Sequence, residues 1–301
     1  MILVAGSTGV VGGEVCRRLL DQGHSVRALV RPTSDPDRIA WLREAGAKTV
    51  EGDLRDATSL DRVCAGVTAI ISTATGASPT RRPDSVIEVD GNGQIALMDA
   101  ALRAGVEHFT HVSLSGTMER ASPARDSKRR AEARLRQSGM TWTVLRPSPF
   151  MEIWLSPALG FDVPNGRATV YGTGGAPISY VSLFDVAHFC VESLENPASR
   201  NATIEVGGPD AVTQLQAVRI AEELTGRSMQ VQHVPVEALQ AQYETASDPL
   251  QKSFAAFMLS VAEGDVIDMH ATLRLFPVQL RTVRQFISES SVAPPEPLSD
   301  A

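Results

Sequence analysis

Three cysteines in 301 residues, Cys16, Cys64 and Cys190, are too few for a disulfide framework. They form no Cys-x-x-Cys pair, so they read as small buried thiols. The six histidines (His24, His108, His111, His188, His233 and His270) show no metal-ligand spacing, and no metal is expected. Positive charge is short as well: 28 Lys+Arg against 35 Asp+Glu leave a net charge of -7. That excludes a general nucleic-acid binder, because phosphate affinity needs a cationic footprint. No apolar run approaches the roughly 18 residues of a spanning helix, so no membrane partner is expected. Nor does a basic stretch precede the first apolar run, Met1-Ile2-Leu3-Val4-Ala5, and a cytoplasmic location is the expectation. What is present, 43% hydrophobic and 21% charged residues, suffices for a core and excludes wholesale disorder. The length suits one large α/β domain, or one domain with a smaller lobe.

The first half repeats one rhythm: a short β-branched run, a turn, then an amphipathic stretch. Strands are expected at 2–5, 25–30, 49–52, 69–73, 108–113 and 141–145, with helices at 9–22, 36–45, 59–64, 84–104 and 122–138. Several strands are continuous apolar runs, as when both sheet faces are covered. The fold class is therefore α/β, a doubly wound parallel (Rossmann) sheet over residues 1–150. Beyond Arg146 the prolines 147, 149 and 157 break the rhythm, and 160–175 is too rich in glycine and turn residues for a long helix. Helices are expected at 183–194, 213–225 and 236–262, and strands at 202–206 and 229–234. They suggest a smaller α+β substrate lobe over 151–290 that returns a strand and a helix to the main sheet. Residues 291–301 read as a flexible tail.

The sharpest signal is Gly6-Ser7-Thr8-Gly9-Val10-Val11-Gly12, set between the first strand and the first helix. Gly6 permits a tight turn, Gly9 lets amides approach a diphosphate, and Gly12 lets the helix pack closely on the strand. A glycine-rich turn without a ligand is the bland alternative. The second strand ends in Val30-Arg31-Pro32-Thr33-Ser34, with no carboxylate before Asp35. An NAD site usually has an acidic residue there, whereas Arg31 can pair with a 2′-phosphate and Thr33 or Ser34 can add hydroxyls. NADP(H) is therefore expected rather than NAD(H), unless Arg31 is only a solvated surface cation. In Gly52-Asp53-Leu54 the carboxylate is placed either to meet the adenine amino group or to cap a turn.

With these motifs in hand, the chain resembles the NmrA-like, or atypical, branch of the short-chain dehydrogenase/reductases. The likeness rests on the glycine turn, Val30-Arg31-Pro32 and Gly52-Asp53-Leu54. It continues through Arg103-Ala104-Gly105-Val106 into His111-Val112-Ser113, then Gly139 through Pro147, and Gly207-Gly208-Pro209, covering about residues 1–230. The resemblance implies an NADP(H)-binding Rossmann domain with a substrate lobe. It includes quinone, triphenylmethane-dye and isoflavone-type reductases, and also redox sensors that bind dinucleotide and catalyse nothing.

Tyr-dependent relatives carry Tyr-x-x-x-Lys on the helix after strand five. Counting back from Gly139, the Lys position falls on Lys128 and the Tyr position on Ala124, so the usual acid is missing. Ala124, Lys128, Ala131 and Leu135 share one helical stripe, with Arg125, Arg129 and Arg136 on a solvated side. Lys128 is thus expected to face inward as a ribose ligand or proton donor, the alternative being a lysine that snorkels at the stripe's edge. In isoflavone-type relatives a Lys eleven residues before the same Gly is the general acid. Ser113 and Ser115, at the end of strand five, are the other catalytic candidates, or merely cap the strand.

Thr73, Ala74 and Thr75 should run beside the nicotinamide ribose, and Pro147 and Phe150 beside its carboxamide. Phe150, Met151 and Trp154 would make an apolar wall for a flat or hydrophobic substrate, unless they are core between the lobes. Tyr171 or Tyr180 could replace the missing acid. Ser182-x-x-Asp185 reads as a capping box. The leading expectation is an NADP(H)-dependent oxidoreductase that passes hydride to a quinone, enone, imine or ketone, acting as a monomer or homodimer. A dinucleotide-sensing regulator, or a non-redox isomerase or cyclase, is the alternative.

Overall fold

The computed structural model describes residues 1–77 and 85–290; Asp84, the expected start of a helix, and the expected tail 291–301 lie outside them. The first half runs β1 (Ile2–Ala5), α1 (Val10–Asp21), β2 (Val26–Val30), α2 (Pro36–Glu44), β3 (Lys48–Glu51), α3 (Ala57–Cys64) and β4 (Ala69–Ser72). It continues through α4 (Ser85–Ile87), a π-helical turn at Glu88–Gly93, α5 (Gln94–Arg103), β5 (His108–Val112), α6 (Pro123–Arg136) and β6 (Thr141–Pro147). The second half begins α7 (Met151–Trp154), β7 (Phe161–Asp162), β8 (Arg167–Tyr171), β9 (Pro177–Ile178), α8 (Leu183–Glu192) and β10 (Ala202–Val206). It ends β11 (Val212–Thr213), α9 (Gln214–Thr225), β12 (Gln230–Val234), α10 (Val236–Thr245), α11 (Pro249–Glu263), α12 (His270–Leu275) and α13 (Val283–Ser290).

Seven parallel strands form the central sheet in the order β10-β6-β5-β4-β1-β2-β3, the doubly wound arrangement. Each strand feeds one apolar layer per face, because successive side chains alternate. Leu3, Ile70, Phe109 and Val144 pack under α3, α5 and α6. Val4, Ile71, Val112 and Leu145 pack on the opposite side with Val15 and Leu19 of α1 and Val186 and Phe189 of α8. Each such side chain, fully buried, is worth about 1.5–3 kcal/mol. The second half returns β10, which pairs with β6 from Ala202↔Thr143 to Val206↔Pro147, and α8, which lies on α1. Its own small sheet places β8 between β12 and β7, covered by α9, α11 and α13.

Three local expectations differ from the structure. The helix expected over 236–262 is two: Pro249 cannot continue a helix but suits the first position of one. Asp248 caps that new start, accepting from the Leu250 and Gln251 amides. The helix expected over 84–104 contains the π turn, where glycines 91 and 93 press against α6 and Leu54 without room for a Cβ. The capping box at α8 is half formed. Ser182 accepts from the Phe184 amide, but Asp185 turns away to accept the Arg281 amide at 2.9 Å. Glu152 completes the cap from α7, accepting from Ser182 Oγ and the Leu183 amide.

Candidate functional site

The carboxyl ends of β1, β2, β3 and β4 enclose a cleft of about 380 Å³ at the point where strand order reverses, the usual ligand position in such sheets. Its floor is the glycine turn. Gly6 adopts φ +82°, and a Cβ there would strike the Ala74 backbone at 2.7 Å. Gly12 is tighter still, since its Cβ would sit 2.1 Å from the Gly6 carbonyl oxygen. Gly9 is the N-cap of α1 and provides no side chain to cap it, and the first turn carries no acidic residue. The helix therefore presents its unpaired amides, with their partial positive charge, to the cleft. Gly6, Thr8 and Gly9 line that cleft. Ser7 does not: its hydroxyl is buried and donates to Leu29 O at 2.7 Å, tying the turn to β2. Val10, Val11 and Gly12 belong to the helix start rather than the lining.

Arg31, Thr33, Ser34, Gly52, Asp53, Leu54 and Arg55 line one end. Ser34 Oγ accepts the Arg31 amide at 3.1 Å, which closes the turn after β2. The Asp53 carboxylate is engaged by the amide and guanidinium of Arg55. Burial works against the charge on Asp53, but the hydrogen bonds from Arg55 and the charges of Arg55 and Arg31 outweigh it and hold the carboxyl below its ordinary range. This end thus carries two guanidinium groups. Sequence reasoning named only Arg31; Arg55, two residues after Asp53, was the overlooked signal.

Thr73, Ala74 and Thr75, with Ser85 and Val89, form the other end. Behind this wall stand two polar side chains that sequence reasoning did not single out. Gln94 accepts from Ser72 Oγ (2.8 Å) and donates to Ala74 O (3.1 Å). Asp90, within the π turn and 0% exposed, accepts the Gly76 amide at 2.7 Å. Lys128 is also inside, 5% exposed, with its ammonium donating to Val112 O at 2.9 Å. The same ammonium lies 2.9 Å from Asp90 Oδ1, an ion pair rather than an aligned hydrogen bond. The ammonium is not part of the cleft lining.

The remaining candidates are engaged elsewhere. Ser113 donates to Glu132 at 2.6 Å, and Arg146 grips the same carboxylate through two nitrogens while Arg129 pairs with it. Burial raises the Glu132 carboxyl, but hydrogen bonds from Arg146 and Ser113 and the charges of Arg129 and Arg146 overcome this and hold it at about 2. Ser115 and Ser148 both donate to buried Asp265, which thereby joins the second lobe to the ends of β5 and β6. Pro147 is buried at the end of β6, and Phe150 bridges to Val181. Of the residues expected as an apolar wall, Met151 is buried in the core of the second lobe together with Tyr171 and Tyr180. Trp154 packs at its border, edge-on to Tyr171, which is the core-packing alternative for Met151 and Trp154. Burial pushes the Tyr180 phenol up, so it suits packing rather than proton transfer.

Ala124 is packed beneath α11, against Leu250, and its amide donates to buried Ser253 Oγ at 3.0 Å. α11 also brings Phe254 and Phe257, half-buried and edge-to-face, onto the cluster of Val86, Ala124 and Leu250. All three cysteines are buried and free, and burial lifts the Cys16 thiol to about 12 and the Cys64 thiol to about 11.

Comparison with known proteins follows this geometry. The chain is 33% identical over 242 residues to (4-alkanoyl-5-oxo-2,5-dihydrofuran-3-yl)methyl phosphate reductase of Streptomyces griseus, covering 79% of this chain and 78% of that one. It is 30% identical over 239 residues to the photosystem II assembly factor Ycf39 of Trieres chinensis, covering 78% and 72%. The fold superposes on leucoanthocyanidin reductase of Vitis vinifera in its binary complex with NADPH. That match has a TM-score of 0.80 and 20% identity, and covers 97% of this chain and 99% of that one. The NmrA-like family profile matches residues 1–287, and with that coverage the chain belongs to the NmrA-like family.

Proposed function

We propose that this protein is an NADP(H)-dependent reductase that passes hydride to a small hydrophobic or aromatic acceptor such as a quinone, enone, imine or ketone. The observation that carries the reading is the cleft itself: an uncapped helix N-terminus with amides at one point, and Arg31 with Arg55 at the adenosine end. The residues fit the group chemically: glycine at positions 6 and 12 lets the turn, the Thr73–Ala74 backbone and α1 close up without a clash, and the helix-start amides are the donors a diphosphate requires. Gly6, Thr8 and Gly9 would hold the diphosphate. Arg31, Thr33 and Ser34 would hold the 2′-phosphate, Asp53 and Leu54 the adenine, and Thr73 to Thr75 the second ribose. The dihydronicotinamide supplies the hydride when bound. The chain's contribution is orientation and exclusion of water, which is most of what such a transfer needs. Phe254 and Phe257 offer an acceptor an apolar, edge-to-face surface on the cluster of Val86, Ala124 and Leu250. Solvent water provides the proton, since the Ser113 and Ser115 hydroxyls already donate to carboxylates.

A second reading, a dinucleotide-binding regulator, is favoured by one observation: α11 occupies the place of the acid at Ala124. Continuous loss of NADPH absorbance with a panel of quinones and enones supports the reductase. Tight NADPH binding with no turnover across the panel selects the regulator instead.

A further inference from the structure

Lys128 sits where relatives keep a reactive lysine, yet its surroundings differ from those of a proton donor. Its ammonium is enclosed, donating to Val112 O and paired with Asp90. Asp90 is fully buried and reaches the Gly76 amide with its second oxygen at 2.7 Å. Gly76 follows directly on Thr73, Ala74 and Thr75, which line the cleft. From the same helical run, four residues on, Gln94 grips Ser72 and Ala74. Residues 72, 74 and 76 are therefore held by Asp90 and Gln94 behind the wall that Thr73, Ala74 and Thr75 present to the cleft. Ser85 Oγ donates to Gly76 O at 2.7 Å and closes the device. Asp90 lies within the π turn at Glu88–Gly93, and such turns occur often at functional sites.

We propose that Lys128 is a positioning residue: through Asp90 it clamps the Thr73–Gly76 wall of the cofactor cleft. A buried carboxylate is costly without a counter-charge, and Lys128 supplies it at Oδ1 while Oδ2 accepts the Gly76 amide. With the ammonium gone, the unpaired carboxylate is driven to swing toward water, and Gly76 loses its acceptor. The effect on catalysis is indirect, by way of the ribose wall. This inference rests on the dinucleotide reading for its consequence, but not for the clamp.

The test compares wild type, Lys128→Met, and the double variant Asp90→Asn with Lys128→Met, in which a neutral amide can still accept from Gly76. Hydrogen exchange at the Gly76 amide is read without nucleotide; NADPH affinity and steady-state kinetics are read with it. Lys128→Met should expose Gly76 to exchange and weaken NADPH by about tenfold or more, the scale of one lost charge-assisted hydrogen bond. Its turnover at saturating NADPH should fall far less, with the basic limb of the pH profile unchanged. The double variant should recover Gly76 protection and most of the affinity, and it carries the test if the single variant does not fold. Unchanged NADPH affinity with turnover reduced by about 100-fold and the basic limb gone would overturn the proposal, because that is the loss of a general acid. Unaltered Gly76 exchange in Lys128→Met would overturn it too. A wild type that takes up no NADPH removes the dinucleotide reading alone, and the exchange comparison still decides the clamp.

Discussion

Replacing Gly12 by alanine tests the phosphate turn with one carbon atom. The new Cβ would lie 2.1 Å from the Gly6 carbonyl oxygen and 2.6 Å from its carbon, where ordinary contact begins at 3.4 Å. Helix α1 must then retreat from the turn by more than an ångström, since 3.4 less 2.1 is 1.3 Å, or the turn must open. Both partners are backbone, so neither can yield by a rotamer change. Opening also strains the Gly9 amide to Gly6 carbonyl bond, now 3.1 Å. Overpacking of this kind costs about 1–3 kcal/mol of stability. Losing one amide contact to an anion costs about 1.5–3 kcal/mol of affinity, so NADPH should bind about 10–100-fold more weakly. Calorimetric titration reads the affinity, and urea denaturation reads the stability. The neighbouring Gly13→Ala is the control: its Cβ would meet Ser7 O and the Trp41 ring at 3.6 Å, which is ordinary contact. Because alanine suits a helix interior better than glycine by about 0.5–1 kcal/mol, that variant should be neutral or more stable with NADPH binding intact. Wild-type NADPH affinity in Gly12→Ala would refute the assignment of the turn.

Four further outcomes follow from named contacts. Arg31→Ala should weaken NADPH by about 10–100-fold while leaving NADH nearly unchanged, as comparative fluorescence titration will show; equal losses for both nucleotides would remove Arg31 from the 2′-phosphate. His111 is fully buried with neither ring nitrogen partnered among the described residues, and burial, helped by the charge of Lys128, lowers it from 6.5 to about 3. The folded state thus refuses a proton that the unfolded chain accepts, so stability is complete above pH 6.5 and falls as pH drops toward 3. His111→Leu should flatten the urea midpoint between pH 7 and 5, and an undiminished slope would contradict this. Glu132→Ala removes the buried carboxylate that Arg146 and Arg129 share, leaving Arg146 with Glu205 and Arg129 with backbone carbonyls, and should cost about 3–5 kcal/mol in urea denaturation. In wild type its contribution is present above pH 4.5 and lost as pH falls toward 2, because folding lowers that carboxyl. Ala124→Tyr should destabilise the fold by about 1–3 kcal/mol or more rather than restore an acid, because α11 fills the space; a variant as stable as wild type and faster with acceptors would show that the space is open.

The alternation of short apolar runs with amphipathic stretches, the glycine turn, and the place of Arg31 were all legible along the chain. These are local properties: strand and helix periods, a positive φ, and a helix start without a capping side chain are written within a dozen residues. Even the inward face of Lys128 follows from its spacing with Ala124, Ala131 and Leu135. Its partner does not. Asp90 lies 38 positions earlier, in the π turn, and no local spacing links it to Lys128. The serines failed as free hydroxyls for a similar reason: Glu132 and Asp265 reach them across 19 and 150 positions. Met151, Tyr171 and Tyr180 read equally well as pocket or core, since apolar side chains carry no mark of which neighbour will cover them. Sequence alone therefore determined the layered sheet and the glycine turn, where nearest-neighbour sterics decide. Tertiary structure decided which buried charges meet and which apolar faces close, because long-range pairing depends on how the elements pack.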